Sequence, residues 1–162
     1  MKMRLRWSIG FAIVLAALVG WLVSGALAAG DDTKLTLRLQ PAEHAFVTQS
    51  GTTGMFPGHL SPGDRVLSRD ALLSGSTVVG YDNELCTAVL DSNDYCEATL
   101  VLVGKGQLQA SWLWIGRNGS LYGPPSFSGV IVGGTGVYAS AHRQFDANVL
   151  PNGQLQLSAA LR

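Results

Sequence analysis

The sequence predicts an all-β fold, a closed up-and-down antiparallel barrel or a small sandwich, on three observations. Beyond Ala28 no stretch carries the 3.6-residue apolar period of a long amphipathic helix. Short runs rich in β-branched and aromatic residues recur instead, each bounded by Gly, Pro, Asn or Asp. Eight such runs fit between Lys34 and Leu161, and most are joined by connections of hairpin length.

The first 28 residues stand apart. Lys2, Arg4 and Arg6 open the chain, Trp7 to Ala28 carries no charge, and Ala26-Leu27-Ala28 offers the small residues of a secretory cleavage site. Residues 1–28 therefore read as a signal peptide or, being long enough to span a bilayer, as an uncleaved membrane tether through residues 7–28. Both readings export the remainder, residues 29–162, as a single domain.

Lys34 to Leu39 is the first strand. Ser50 to Gly63, with Gly, Thr and Pro around Met55 and Phe56, reads as a loop or lid over a barrel mouth, or as a linker. Ser61-Pro62-Gly63 then starts a strand from Arg65 to Leu73, and Ser74-Gly75 turns the chain into Thr77 to Val89. There the alternation conflicts: Val78, Asp82, Glu84 and Cys86 share one parity, while Val79, Tyr81 and Leu85 share the other. A β-bulge near Asp82-Asn83 would reconcile the halves, and it leaves open whether Tyr81 or Glu84 reaches the interior. Asp91 to Asp94 is a turn before Tyr95 to Val103, Gly104-Lys105-Gly106 one before Leu108 to Ile115, and Gly123-Pro124-Pro125 one before Phe127 to Val132. Gly133-Gly134-Thr135-Gly136 precedes Tyr138 to Leu150, and Pro151-Asn152-Gly153 precedes Gln154 to Leu161.

Two turns are specific enough to set register. Pro presets φ at the first position of Pro151-Asn152-Gly153, and Gly accepts the left-handed conformation at the last. This loop places Val149 opposite Leu155, Ala147 opposite Leu157, Phe145 opposite Ala159 and Arg143 opposite Leu161. One face is then apolar except for a single guanidinium. A charge facing inward is costly unless paired or used, so Arg143 requires a ligand or a carboxylate, or else lies at the rim and reaches solvent. Treating Gly104-Lys105-Gly106 the same way pairs Leu100 with Ala110, Ala98 with Trp112 and Cys96 with Trp114. Leu100, Trp112 and Trp114 then belong to a packed core or to the aromatic wall of a ligand cavity.

Lys and Arg together number eleven, as do Asp and Glu, and three of the basic residues lie in the leader. The exported part is mildly acidic and has no basic cluster, which argues against nucleic acid as a partner. Cys86 and Cys96, an even count flanking a turn, predict a disulfide across one hairpin. No metal site is expected, since there is no C-x-x-C and His44, His59 and His142 lack ligand spacing. No nucleophile motif is present. Asn118-Gly119-Ser120 matches a glycosylation sequon but serves equally as a turn. Asp64 and Asp70 are read as turn and local charge-pair residues, and His142, Glu97 and Asp146 as solvent-facing.

From Ser61 to Arg162 the order Gly63-Asp64, Gly80, Cys86, Cys96-x-x-Thr99-x-x-Leu102, Gly106-x-Leu108 and Gly133-Gly134-Thr135-Gly136-Val137-Tyr138 resembles the allene oxide cyclase and dirigent barrel superfamily. The resemblance implies an eight-stranded antiparallel barrel with a largely hydrophobic cavity, often assembled as a homo-oligomer. It also implies either a cyclase needing no cofactor or a dirigent-like barrel that orients a small hydrophobic ligand. The run Arg143-Gln144-Phe145 looks like that of bacterial spirotetronate-type cyclases, which close a polyene by four-plus-two cycloaddition. By that resemblance Arg143 and Phe145 are catalytic, with phenylalanine where tryptophan is usual. Trp112, Trp114, Tyr81 and Leu100 are the expected substrate-binding residues.

Overall fold

The computed structural model describes residues 33–55, 60–90, 93–115 and 124–161. Residues 1–28, expected to be an export segment, and Phe56, Asp91-Ser92 and the Asn118 sequon lie outside the described residues. The chain forms β1 (Thr33–Thr48), β2 (Gly51–Thr53), β3 (Arg65–Ser74), β4 (Thr77–Ala88), β5 (Asp94–Leu102), β6 (Gly106–Trp114), β7 (Ser126–Gly134), β8 (Arg143–Val149) and β9 (Leu155–Leu161). Neighbouring strands are antiparallel, and β1 also pairs with β9, so eight strands close into a barrel. Closure removes the exposed sheet edges that an open sheet would carry. The short β2 pairs only with the end of β1, through Phe46 and Thr53.

Alternation carries the core. β5 and β6 bury every second residue, and Leu37, Leu72, Leu108 and Phe145 are among the most deeply buried side chains. The β8–β9 register is as the turn chemistry requires: Val149 faces Leu155, Ala147 faces Leu157 and Phe145 faces Ala159. The Leu150 carbonyl accepts from Gly153 N–H at 2.9 Å, and Gly153 holds φ of 79°, which glycine adopts without strain.

The structure departs from the sequence reading in four places. β1 runs on to Thr48 rather than stopping at Leu39, because a bulge between Pro41 and Glu43 switches which parity faces inward. Tyr138 is not in a strand; Gly136–Tyr138 is a 3-10 turn, and β8 begins at Arg143. The β5–β6 loop is Val103-Gly104-Lys105, closed by Lys105 N–H to the Leu102 carbonyl. That one-residue change moves the pairing by two, so Cys96 faces Trp112 and Asp94 faces Trp114. A slip of two preserves which face is buried. Finally, β4 pairs regularly with β5 through Asp82 and Asn83, and its register shift against β3 falls where Leu72 and Leu73 meet Gly80 and Val78. Asp82 and Glu84 therefore share the inward parity of Cys86, and Tyr81 points out.

Candidate functional site

β6, β7 and β8 place four rings inside the barrel. Trp112 stacks on Phe127 with centroids 5.6 Å apart and meets Phe145 edge-on at 6.0 Å. Trp114 lies 5.7 Å from Phe127 and 6.3 Å from Trp112. The Phe145 ring is accommodated by Gly129 directly across the β7–β8 pair. A Cβ there would run into the ring and would come within 2.7 Å of the Ser111 carbonyl oxygen. Glycine at this strand position is thus a requirement of packing.

Arg143 stands one inward step from Phe145, opposite Ile131, and is half-buried. Its Nε is buried and has no hydrogen-bond partner among the described residues, and the same holds for Trp112 Nε1. Two N–H donors beside one phenyl ring thus await an acceptor, each at an unmet cost of about 1–3 kcal/mol. Leu100 is 3% exposed and packs as core across from Asp82. Tyr81, expected at the substrate, is instead on the outer face, where the Arg69 guanidinium sits 4.2 Å from its ring centroid. Cys86 and Cys96 face each other across β4 and β5 and are joined as a disulfide.

Sequence reasoning missed the opposite wall. β3 and β4 put Asp70 and Asp82 inward, with relative exposures of 9% and 0%. Asp70 was read as a turn or charge-pair residue, but the barrel aims it into the core; Asp64 does serve its turn, accepting Ser61 N–H at 2.8 Å. Asp82 Oδ1 accepts the Asp70 backbone N–H at 2.9 Å, while Asp82 Oδ2 and Asp70 Oδ1 are buried without partners. Glu84 follows Asp82 on the same face, and one carboxylate oxygen from each of the three lies within 4.8 Å of the others. Burial, then the Asp70 charge, pushes the Asp82 carboxyl up to about 7 despite two backbone hydrogen bonds. Burial also raises Asp70, against the opposing influence of His44 and the Ala42 N–H. The legible signal was the parity of Asp82 and Glu84 with Cys86, had no bulge been invoked.

A cavity of about 80 Å³ opens beside these acids. Its lining combines Asp70, Glu84, His44 and Ser68 with Trp114, Val149 and Leu155. Of the four rings, Trp114 borders this space. The cavity joins a polar wall to the apolar one.

Neither a family model nor a curated protein matches the sequence. Solved structures do match. A structure titled pyocyanin demethylase is 24% identical, with TM-score 0.61 over 80% of this chain and all of that one. The pterocarpan synthase dirigent protein GePTS1 is 17% identical, with TM-score 0.58 over 78% of this chain and 81% of that one. AbnU, described as an exo-specific intermolecular Diels-Alderase, is 12% identical, with TM-score 0.59 over 82% of this chain and 98% of that one. The fold is therefore that of the dirigent and four-plus-two cyclase barrels, as the sequence resemblance implied.

Proposed function

We propose that this barrel is a cyclase that closes a ring in a hydrophobic, polyunsaturated, polyketide-like intermediate without a cofactor. The observation that carries this reading is the buried Nε of Arg143, which has no hydrogen-bond partner among the described residues and stands one inward step along β8 from Phe145. A concerted four-plus-two closure needs little proton transfer, and its barrier is largely that of folding a flexible chain into a reactive shape. Rings at 5.6–6.3 Å from one another supply rigid apolar surface for that folding once the substrate displaces them from mutual contact. Arg143 donates to a carbonyl conjugated with the reacting alkene. As electron density moves onto that oxygen the hydrogen bond strengthens, so it favours the transition state over the ground state. The basic start and the charge-free run of residues 7–28 support a reaction outside the cytoplasm, with the barrel released or tethered.

Arg143→Met tests the reading. It retains length, removes an inward charge and should keep the melting temperature or raise it. Turnover of polyene substrates carrying a conjugated carbonyl should fall about tenfold or more, the loss of one charge-assisted hydrogen bond. Unchanged turnover would leave Arg143 as a rim residue.

A second reading is supported by the small cavity, about 80 Å³, and by the dense packing of the rings. In it the protein is an exported dirigent-like barrel that binds or orients a small hydrophobic ligand. Such a binder retains ligand affinity in Arg143→Met and shows no turnover in either protein.

A further inference from the structure

Asp70 and Asp82 lie directly across from each other on β3 and β4, between the paired positions Ser68–Glu84 and Leu72–Gly80. Each carries one buried oxygen with no partner, Oδ1 on Asp70 and Oδ2 on Asp82. The other Asp82 oxygen is taken by the Asp70 N–H. Two carboxylates this close and this buried do not both ionise readily, because each raises the cost of the other's charge. One carboxylate oxygen of each lies within 4.8 Å of the other, so one proton held by the pair removes one of two adjacent buried charges. Asp82 is wholly buried, whereas Asp70 lines the cavity, so the pair has one member that a ligand can touch.

We infer that Asp70 and Asp82 hold a single shared proton and that Asp70 offers it to the cavity as a hydrogen-bond donor to a substrate oxygen. The inference rests on the cyclase reading for its chemistry and deepens it. The substrate then bears a second oxygen function, a ketone or enol, apart from the carbonyl held by Arg143. Asp70 is the residue that meets the ligand, and Asp82 is a positioning residue that keeps the proton there. The surroundings suit this role. His44 on β1 and Glu84 on β4 are the other titratable groups lining the space, and β5 contributes only Leu100 and Ala98 against the pair. His44, when charged, favours ionisation of Asp70, and burial of Asp82 opposes ionisation of the pair.

Carboxyl carbon-13 NMR titration of the full chain tests the shared proton without any substrate. The expected result is a two-step titration common to Asp70 and Asp82, with its upper step near neutral pH. Asp82→Asn should abolish that step, and Asp70→Asn should move it to lower pH. Two ordinary, independent acid titrations would overturn the inference. So would a step unmoved in Asp70→Asn, or its displacement by millimolar magnesium or calcium, which would assign the carboxylates to a cation. The donor role is read separately, from the carbonyl carbon of labelled cyclohex-2-enone added as a probe. Below the upper step it should shift downfield with the native chain and not with Asp70→Ala, which has no side-chain donor; no shift with the native chain would overturn the donor role. These outcomes stand whether or not Arg143→Met loses turnover, so the two readings fail independently.

Discussion

Across β6, β7 and β8 the interior holds Trp112, Trp114, Phe127 and Phe145, whereas across β3 and β4 it holds Asp70, Asp82 and Glu84. Both walls follow the same alternation, and both are buried on one face. They differ in what burial accomplishes. The aromatic wall removes apolar surface from water, which stabilises the fold. The acid wall desolvates charge, which destabilises it unless a proton, a cation or a ligand compensates. Within one barrel, then, one side maintains the structure and the other tolerates a penalty, and residues of the second kind are where chemistry is to be sought.

The sharpest way to break this contrast is to cut into the aromatic wall. Phe145 is 1% exposed and contacts both Trp112 and Phe127. Phe145→Ala should cost about 3–5 kcal/mol in urea unfolding, through lost transfer energy and the cavity left behind. A cost below about 1 kcal/mol would show that this wall is loosely packed and already hollow enough for a ligand.

The disulfide sits where the two walls join, since Cys86 follows Glu84 on β4 while Cys96 faces Trp112. Replacing both cysteines by alanine should cost about 2–3 kcal/mol, because the bridge closes a short loop in the unfolded chain. The same urea experiment reads it. No change would mean that the sheet alone fixes this junction.

The acid wall predicts the opposite sign. The folded chain holds the Asp82 proton up to about 7, whereas the unfolded chain releases it near 3.8. Between those values the native state binds more protons than the unfolded state, so stability falls as pH rises through that window. Asp82→Asn has no charge to bury. It should therefore match the native chain at pH 4 and exceed it by roughly 1–3 kcal/mol at pH 8. Urea midpoints at the two pH values decide the matter, and a variant weaker at both would place a compensating partner at Asp82.

The aromatic wall was largely legible in the sequence and the acid wall was not, for physical reasons. Pro151-Asn152-Gly153 admits one loop, so Arg143 and Phe145 could be placed inward from turn chemistry alone. Gly104-Lys105-Gly106 offers glycine at two positions, both with positive φ, and the loop settled one residue earlier than expected. The face survived because pairing moved by two. In β4 the parity of Asp82 and Glu84 conflicts with that of Val79, Tyr81 and Leu85, and a bulge near Asp82-Asn83 would reconcile the halves while leaving open which set faces inward. Register shifts lie elsewhere among the described strands, at Pro41 in β1, beside Val78 in β4 and between β6 and β7 at Gln109 and Ala110, and the first two accompany parity switches that composition does not announce. Tyr81 was expected at the ligand for the same reason and lies outside.

That displacement of Tyr81 gives the smallest effect. Its ring lies under the Arg69 guanidinium on the outer face, 4.2 Å from the centroid, and Arg69 is exposed to solvent. A cation over a ring at such a site contributes on the order of 0.5–1 kcal/mol. Arg69→Met keeps the aliphatic stem that covers the ring and removes the charge. Urea unfolding should therefore show a loss of no more than about 1 kcal/mol. Because neither Arg69 nor Tyr81 lines the cavity beside Asp70, binding of an apolar ligand there should be unaffected. Tyr81→Phe should be equally silent toward a ligand bound beside Asp70, since Tyr81 does not line that cavity. A ligand affinity that falls in either variant would mean that the outer face of β3 and β4 takes part in binding, and the contrast between the two inner walls would no longer describe how this barrel works.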